Sequence, residues 1–237
     1  MGWYRAISQS GSDGGHMSIM LRRRELMLAT ANGGGLPNGY QEVDFIKGNK
    51  APYIDTNYIP NLYTDFEIIF SNFIESDSGY PSPYGALGGS NAGIGAFIQR
   101  GGPRVYTQFG NKVDFLYETS IWRNGTVVTT NQNKNGFWEN GSKKVNYADT
   151  TFGTPSGSIY LFAINRGGSV ERIVGLQIYS VKIRENDVLI RDFIPCYRKS
   201  DNKPGLYDLC GSICPLTNSP FYINAGSGEF TVGSDVN

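Results

Sequence analysis

The feature that most limits how this chain can fold is residues 158–198, SIYLFAINRGGSVERIVGLQIYSVKIRENDVLIRDFIPCYR, which read as three strands in succession. Within residues 177–183 the side chains alternate. Tyr179, Val181 and Ile183 fall on one face, and Ser180, Lys182 and Arg184 mostly on the other, the pattern of a half-buried strand. The polar trio Glu185-Asn186-Asp187 then predicts a turn, and residues 188–194 return with Val188, Ile190 and Phe193 available to a core. A long β-hairpin therefore anchors the domain, and the remaining sequence must supply its partners.

Short strand signals recur along the chain. Residues 40–46, 53–58 and 64–73 are strand-like, the last with Phe66, Ile68 and Phe70 alternating against Asp65, Glu67 and Ile69. Residues 75–84 are rich in Ser, Pro, Gly and Asp and predict a loop. Residues 85–88, 95–100 and 104–109 follow as strands, and Val113, Phe115 and Tyr117 alternate with Asp114 and Leu116. Asn-Gly stands at Asn124-Gly125, Asn135-Gly136 and Asn140-Gly141, the preferred chemistry of a two-residue hairpin turn with positive φ. Residues 120–122 are accordingly expected to turn back into 126–130, and residues 137–138 into 143–147. Asn124 and Asn140 also begin glycosylation sequons, but turn chemistry accounts for both. With 31 Gly, 15 Tyr and 13 Phe against 18% charged residues, the composition favours tight turns and strands, hence an all-β fold. A length of 237 residues fits one large β domain.

The N-terminal part reads differently. Residues 1–16 begin with an aromatic pair and continue as a Gly/Ser/Asp arm that buries too little to fold alone. Ser18 is placed to cap a short helix over residues 19–30, with Met20, Leu21, Met27 and Leu28 apolar and Arg22, Arg23 and Arg24 forming a cationic turn. About twelve residues are marginal as an isolated helix, so the segment either packs against its own domain, a sister subunit or a larger assembly, or frays as a tail. A Gly-rich linker ends near Leu36. The expected organisation is an arm, helix and linker over residues 1–35, serving docking or oligomerisation, and a globular domain over 36–237. The docking candidates are Trp3, Tyr4, Leu21, Arg22, Arg23 and Met27. The six-residue apolar run LMLATA is too short for a secretory signal, and no run reaches the roughly 20 apolar residues of a membrane span.

Charge and chemistry exclude several functions. Lys plus Arg number 21 and Asp plus Glu 21, so no overall basic field draws nucleic acid. Cys196, Cys210 and Cys214 are too few for a disulfide framework, although Cys210 and Cys214 are close enough in sequence to pair. A zinc site would need a fourth ligand beside the three thiols, and the only histidine, His16, stands in the N-terminal arm, which also leaves no Ser-His-Asp triad inside the domain. No metal site is expected from these thiols. Rim Asp and Asn groups leave calcium open, though without EF-hand spacing.

The residues LPNGYQEVDFIKGNKAPYIDTNYIPN, with Gly39, Tyr40, Glu42, Val43, Phe45 and Ile46 followed by Tyr53, Ile54, Asp55 and Thr56, carry a resemblance. Together with IYLFAIN, IYSVKI, VLIRDFIPCYRKSDNKPGLYDL and FYINAGSGEF they resemble the concanavalin A-like, laminin-G-like jelly-roll domains of bacteriophage, prophage and gut-bacterial surface proteins. The likeness runs from Leu36 to Gly233, and CGSICPLTNSP at residues 210–220 departs from it with a longer final turn. It implies an antiparallel two-sheet jelly-roll sandwich and a non-catalytic protein of a phage head, tail or fibre, displayed on the virion surface after synthesis in the host cytoplasm. It further implies adhesion to a host-surface glycan, contacts with other virion proteins through the arm, and homo-oligomerisation. The alternatives are a bacterial surface or secreted carbohydrate-binding module and, last, a glycan-cleaving enzyme. Retaining jelly-roll glycosidases carry Glu-x-Asp-x-x-Glu on one strand. Here Glu42-Val-Asp44-Phe-Ile-Lys47 ends in lysine and Asp65-Phe-Glu67 lacks the third carboxylate. No catalytic residue is assigned. Aromatic and planar polar groups suited to sugars single out Arg100, Tyr106, Trp122, Trp138, Asn165 and Arg166 as ligand-binding candidates, the last two in a turn at a sheet rim.

Overall fold

The computed structural model describes residues 36–49, 51–74, 80–89, 92–119, 121–155, 157–211 and 219–236, with the backbone alone for 114–118. The expected arm, helix and docking residues Trp3, Tyr4, Leu21, Arg22, Arg23 and Met27 lie outside these, as do His16 and Cys214. The first strands are β1 (Tyr40–Glu42), β2 (Ile46–Asn49), β3 (Ile54–Asp55), β4 (Thr64–Ile74), β5 (Tyr84–Leu87), β6 (Gly93–Ile98) and β7 (Arg104–Phe109). They continue as β8 (Lys112–Glu118), β9 (Val128–Asn133), β10 (Gly136–Glu139), β11 (Ser142–Val145), β12 (Tyr160–Leu161), β13 (Ile164–Arg166) and β14 (Ser169–Glu171). The chain closes with β15 (Gly175–Glu185), β16 (Val188–Arg198), β17 (Lys203–Asp208), β18 (Phe221–Ile223) and β19 (Glu229–Val232). No helix occurs among the described residues.

Two sheets form a sandwich. The larger runs β11-β10-β9-β4-β15-β16-β17-β18, with β1 on β16 and β2 bridging β15 to β19. The smaller runs β14-β13-β5-β6-β7-β8, with β12 joining β3 and β5. Every pairing is antiparallel except β13 with β5. Strand β4 shows why the chain folds so: Phe66, Ile68 and Phe70 are fully buried while Asp65, Glu67 and Ile69 are half-exposed. Phe66 stacks on Tyr84 of the opposite sheet at 4.1 Å, and the Tyr84 hydroxyl donates to Gln132 Oε1 at 2.8 Å. Each such buried large side chain contributes about 1.5–3 kcal/mol relative to exposure.

The anchoring hairpin is present as β15 and β16, with Asn186 and Asp187 at φ 49° and 64° as its two turn residues. Two expectations about it are corrected. A β-bulge between Ile178 and Ser180 resets the alternation, so Leu176, Ile178, Val181 and Ile183 face the core. Tyr179 turns the other way, its hydroxyl on Ser71 at 2.9 Å and its ring edge-on to Phe45. On the return strand Phe193 is buried and Ile190 packs at the core's margin, but Val188 is 63% exposed beside the turn.

Residues 158–198 make five strands rather than three. Strands β12, β13 and β14 belong to the smaller sheet and β15 and β16 to the larger, because the chain turns at Phe162 (φ 67°), Gly167 and Gly168 and crosses between sheets at Arg172 (φ 55°). Of the Asn-Gly pairs, Asn140 and Gly141 (φ 49° and 79°) form the expected turn between β10 and β11. Gly136 starts β10 after the Lys134-Asn135 turn, and at φ 154° a Cβ there would stand 2.2 Å from the Val145 carbonyl oxygen. Asn124-Gly125 joins no hairpin: residues 121–125 are turns, because Trp122 is drawn wholly into the core.

Candidate functional site

The outward face of the larger sheet presents an ordered row of side chains. On β9, Val128, Thr130 and Gln132 point inward and are buried, which turns Thr129, Asn131 and Asn133 outward. Register aligns Asn131 with Glu67 of β4 on one side and with Trp138 of β10 on the other. Glu67 in turn stands opposite Lys182, and Lys182 opposite Asp192. The row Trp138–Asn131–Glu67–Lys182–Asp192 thus crosses five strands.

Around its aromatic end lies a depression of about 260 Å³ lined by Glu67, Thr129, Asn131, Trp138 and Gly141. The Trp138 ring is half-exposed, with the Lys143 ammonium 5.2 Å from its centroid. Lys143 is itself exposed on a flexible stem, so it is a displaceable cover for that ring. The Asn140 side chain accepts from the Thr129 backbone N–H at 2.9 Å and fixes the turn that carries Gly141. Asp65 holds the amides in place: its two oxygens accept from Asn131 Nδ2 at 2.6 Å and Asn133 Nδ2 at 3.1 Å. Among the described residues the Glu67 carboxylate, the Thr129 hydroxyl and the Trp138 indole N–H have no hydrogen-bond partner. The depression therefore offers an aromatic ring, an unsatisfied acceptor and unsatisfied donors to one small polar molecule.

The sequence-derived candidates do not converge on one place. Trp138 is in this depression. Trp122 is fully buried and donates from Nε1 to Glu139 Oε2 at 2.7 Å, so it presents no face to a ligand and belongs to the core. Asn165 is 3% exposed, donating to the Ser158 carbonyl at 3.0 Å and accepting from the Gly168 N–H at 2.8 Å, which makes it the residue that shapes the β13–β14 turn. Arg166, at that turn, pairs with Glu171 at 2.8 Å. Arg100 is exposed in the turn between β6 and β7. Tyr106 is half-buried on the outer face of the smaller sheet, against Leu87, Phe97 and Ile164 and edge-on to Tyr80 at 5.3 Å. Partial burial and Tyr80 push its hydroxyl up. There the Arg172 guanidinium lies 4.7 Å from the Phe97 centroid, and burial followed by Arg166 pulls it down.

Glu67, Thr129 and Asn131 were not among the candidates. Asp65 and Glu67 entered only as an incomplete carboxylate pair, and no sequence signal raises Thr129 and Asn131, because the inward side of VTTNQN carries Thr130 and Gln132 beside Val128 and is nearly as polar as the outward side. Cys196 and Cys210 are free thiols. Among the described residues no group of three or more His, Cys, Asp or Glu is placed to hold a metal, and no helix is long and apolar enough to cross a membrane.

No protein-family profile and no curated protein sequence matches the chain. Solved structures do. A Bacteroides ovatus protein assigned as carbohydrate-binding superposes with a TM-score of 0.52 at 10% identity, over 83% of this chain and 62% of that one. The CBM40 of a Ruminococcus gnavus IT-sialidase gives 0.45 at 16% identity, over 63% and 92%. The NanB sialidase of Streptococcus pneumoniae gives 0.42 at 12%, over 62% and 27%. At such identities the likeness is one of fold: this chain has the two-sheet sandwich that the Bacteroides ovatus protein also has.

Proposed function

We propose that the domain is a non-catalytic glycan-binding module whose receptor site is the Trp138 depression on the outer face of the larger sheet. One observation carries this reading: a half-exposed indole beside an unpartnered carboxylate and hydroxyl and an amide held in place by Asp65, in a recess of about 260 Å³. A pyranose ring has an apolar face that stacks on an aromatic ring and hydroxyl groups that both donate and accept, and this recess matches each. Binding is favoured over hydrolysis because retaining chemistry requires two carboxylates about 5 Å apart and free to act. Asp65 is tied to Asn131 and Asn133, leaving Glu67 as the one free carboxylate of the recess among the described residues.

A printed array of neutral and acidic glycans tests the reading. Binding by the full chain is expected, and Trp138→Ala is expected to weaken it by tenfold or more, about 1.4 kcal/mol, with the fold unchanged by circular dichroism. Equal binding by Trp138→Ala would refute the site.

The biological setting rests on the sequence resemblance alone. It makes the chain a bacteriophage virion protein displaying this domain, anchored through residues 1–35 with Trp3, Tyr4, Leu21, Arg22, Arg23 and Met27 as contacts; secretion as a bacterial carbohydrate-binding module is the competing setting. Deleting residues 1–35 is expected to abolish incorporation into particles. Assembly of the truncated chain would overturn the virion role and leave the binding site untouched.

A further inference from the structure

The Trp138 recess does not end at Asn131. A second depression, of about 100 Å³, is lined by Leu62, Tyr63, Thr64, Asp65, Asn133, Lys134, Asn135, Asn186 and Asp187, at the end of the same sheet face. Asp65 joins the two, one oxygen on Asn131 of the first and the other on Asn133 of the second. The far depression repeats the chemistry of the near one: Tyr63 is 50% exposed, and an ammonium, that of Lys134, lies 5.4 Å from its ring centroid. Glu67 is in register with Trp138 through Asn131, Thr64 stands three positions before Glu67 on β4, and Tyr63 immediately precedes Thr64, so the backbones that carry the two rings are offset by roughly 10 Å or more along the strand, longer than one sugar ring.

We infer that the two depressions are one elongated groove taking a linear, neutral oligosaccharide, with one ring on Trp138, another on Tyr63 and the Asp65–Asn131–Asn133 ladder between them; this rests on the glycan-binding reading above. The neutral class follows from the lining. Asp65, Glu67 and Asp187 set three carboxylates against two ammoniums, those of Lys143 and Lys134 over the two rings, and no guanidinium lines either depression. A carboxylated or sulfated sugar would meet net repulsion there, whereas carboxylates and amides accept and donate to sugar hydroxyl groups without charge preference. The distance between platforms sets the length requirement, because a monosaccharide reaches one ring and not both.

The experiment is calorimetric titration of the full chain with mono- to tetrasaccharides of cellulose, amylose, chitin and xylan, and with oligogalacturonate as the acidic counterpart. Affinity is expected to rise by about tenfold from the monosaccharide to the trisaccharide of a bound series. Tyr63→Ala should remove that gain while leaving the monosaccharide unchanged; Trp138→Ala should weaken every length. Length-independent affinity, a Tyr63→Ala loss equal at all lengths, or preference for oligogalacturonate would overturn the groove while the Trp138 site stands. Absence of binding by any neutral series, or binding indifferent to Trp138→Ala, would overturn the glycan reading itself and the groove with it.

Discussion

Replacing Trp122 by alanine is expected to destabilise the domain by about 3–5 kcal/mol, the usual cost of emptying a buried aromatic site. Trp122 is fully buried, edge-on to Phe70 at 5.1 Å and tilted against Phe73 at 5.9 Å. Its indole N–H is the donor to Glu139 Oε2 at 2.7 Å, and Glu139 is only 5% exposed. The substitution thus removes packing and deprives a buried carboxylate of its donor at once. Trp122→Phe separates the two effects: a ring remains, the donor goes, and a loss of about 1.5–3 kcal/mol is expected for a hydrogen bond to a charged group. Against a total stability of about 5–15 kcal/mol, the alanine variant should shift the urea midpoint far enough to be read directly. A loss under about 1 kcal/mol would mean that Trp122 is not the packed residue described. The same measurement on Trp138→Ala should show little change, since that ring is half-exposed. One tryptophan supports the fold and the other the proposed receptor site, and the two substitutions should divide accordingly.

Sequence alone could not make that division. Both tryptophans stand near Asn-Gly turns, and composition treats them alike. What separates them is which face of the larger sheet they meet, a long-range fact: Trp122 is claimed by the inward Phe70 and Phe73 of a strand about fifty positions earlier, whereas Trp138 lies opposite Asn131 on the outward side of β9. Strand β4 was legible as far as Phe70, because its inward Phe66, Ile68 and Phe70 alternate; beyond it the positive φ of Asn72 (52°) shifts the next inward residue to Phe73. Strand β15 was legible as a strand but not in its facing, since a one-residue bulge after Ile178 reverses the alternation and leaves no local signature. The two depressions were hidden for the same reason. Asp65, Asn131, Asn133 and Tyr63 meet only when β4 and β9 are paired in register, and register is set by the buried residues on the opposite face.

The second large effect is a steep loss of stability in alkali. Burial, followed by the nearby Glu42, pushes the Cys196 thiol up to about 12 from its ordinary 9. Burial pushes the Cys210 thiol up to about 11. The Tyr58 hydroxyl, between Thr64 at 2.8 Å and the Glu185 carboxylate at 2.9 Å, is also raised by burial, as is that of the fully buried Tyr84. For each of these groups the folded state holds its proton more tightly than the unfolded chain does. The stability this represents is therefore complete below the unfolded value, near 9 for the thiols and 10 for the phenols, and is lost as pH rises toward the folded values. For Cys196 alone, a climb from 9 to about 12 corresponds to roughly 4 kcal/mol. Urea unfolding should accordingly give a constant midpoint from pH 7 to the unfolded thiol range and a falling one above it. Cys196→Ala offers the decisive comparison: it sacrifices some packing at every pH, but its midpoint should decline less between the thiol and phenol ranges than that of the unaltered chain. Parallel curves would show that the Cys196 thiol ionises as readily folded as unfolded, and so is not sealed from water on β16, between its paired strands β1 and β17.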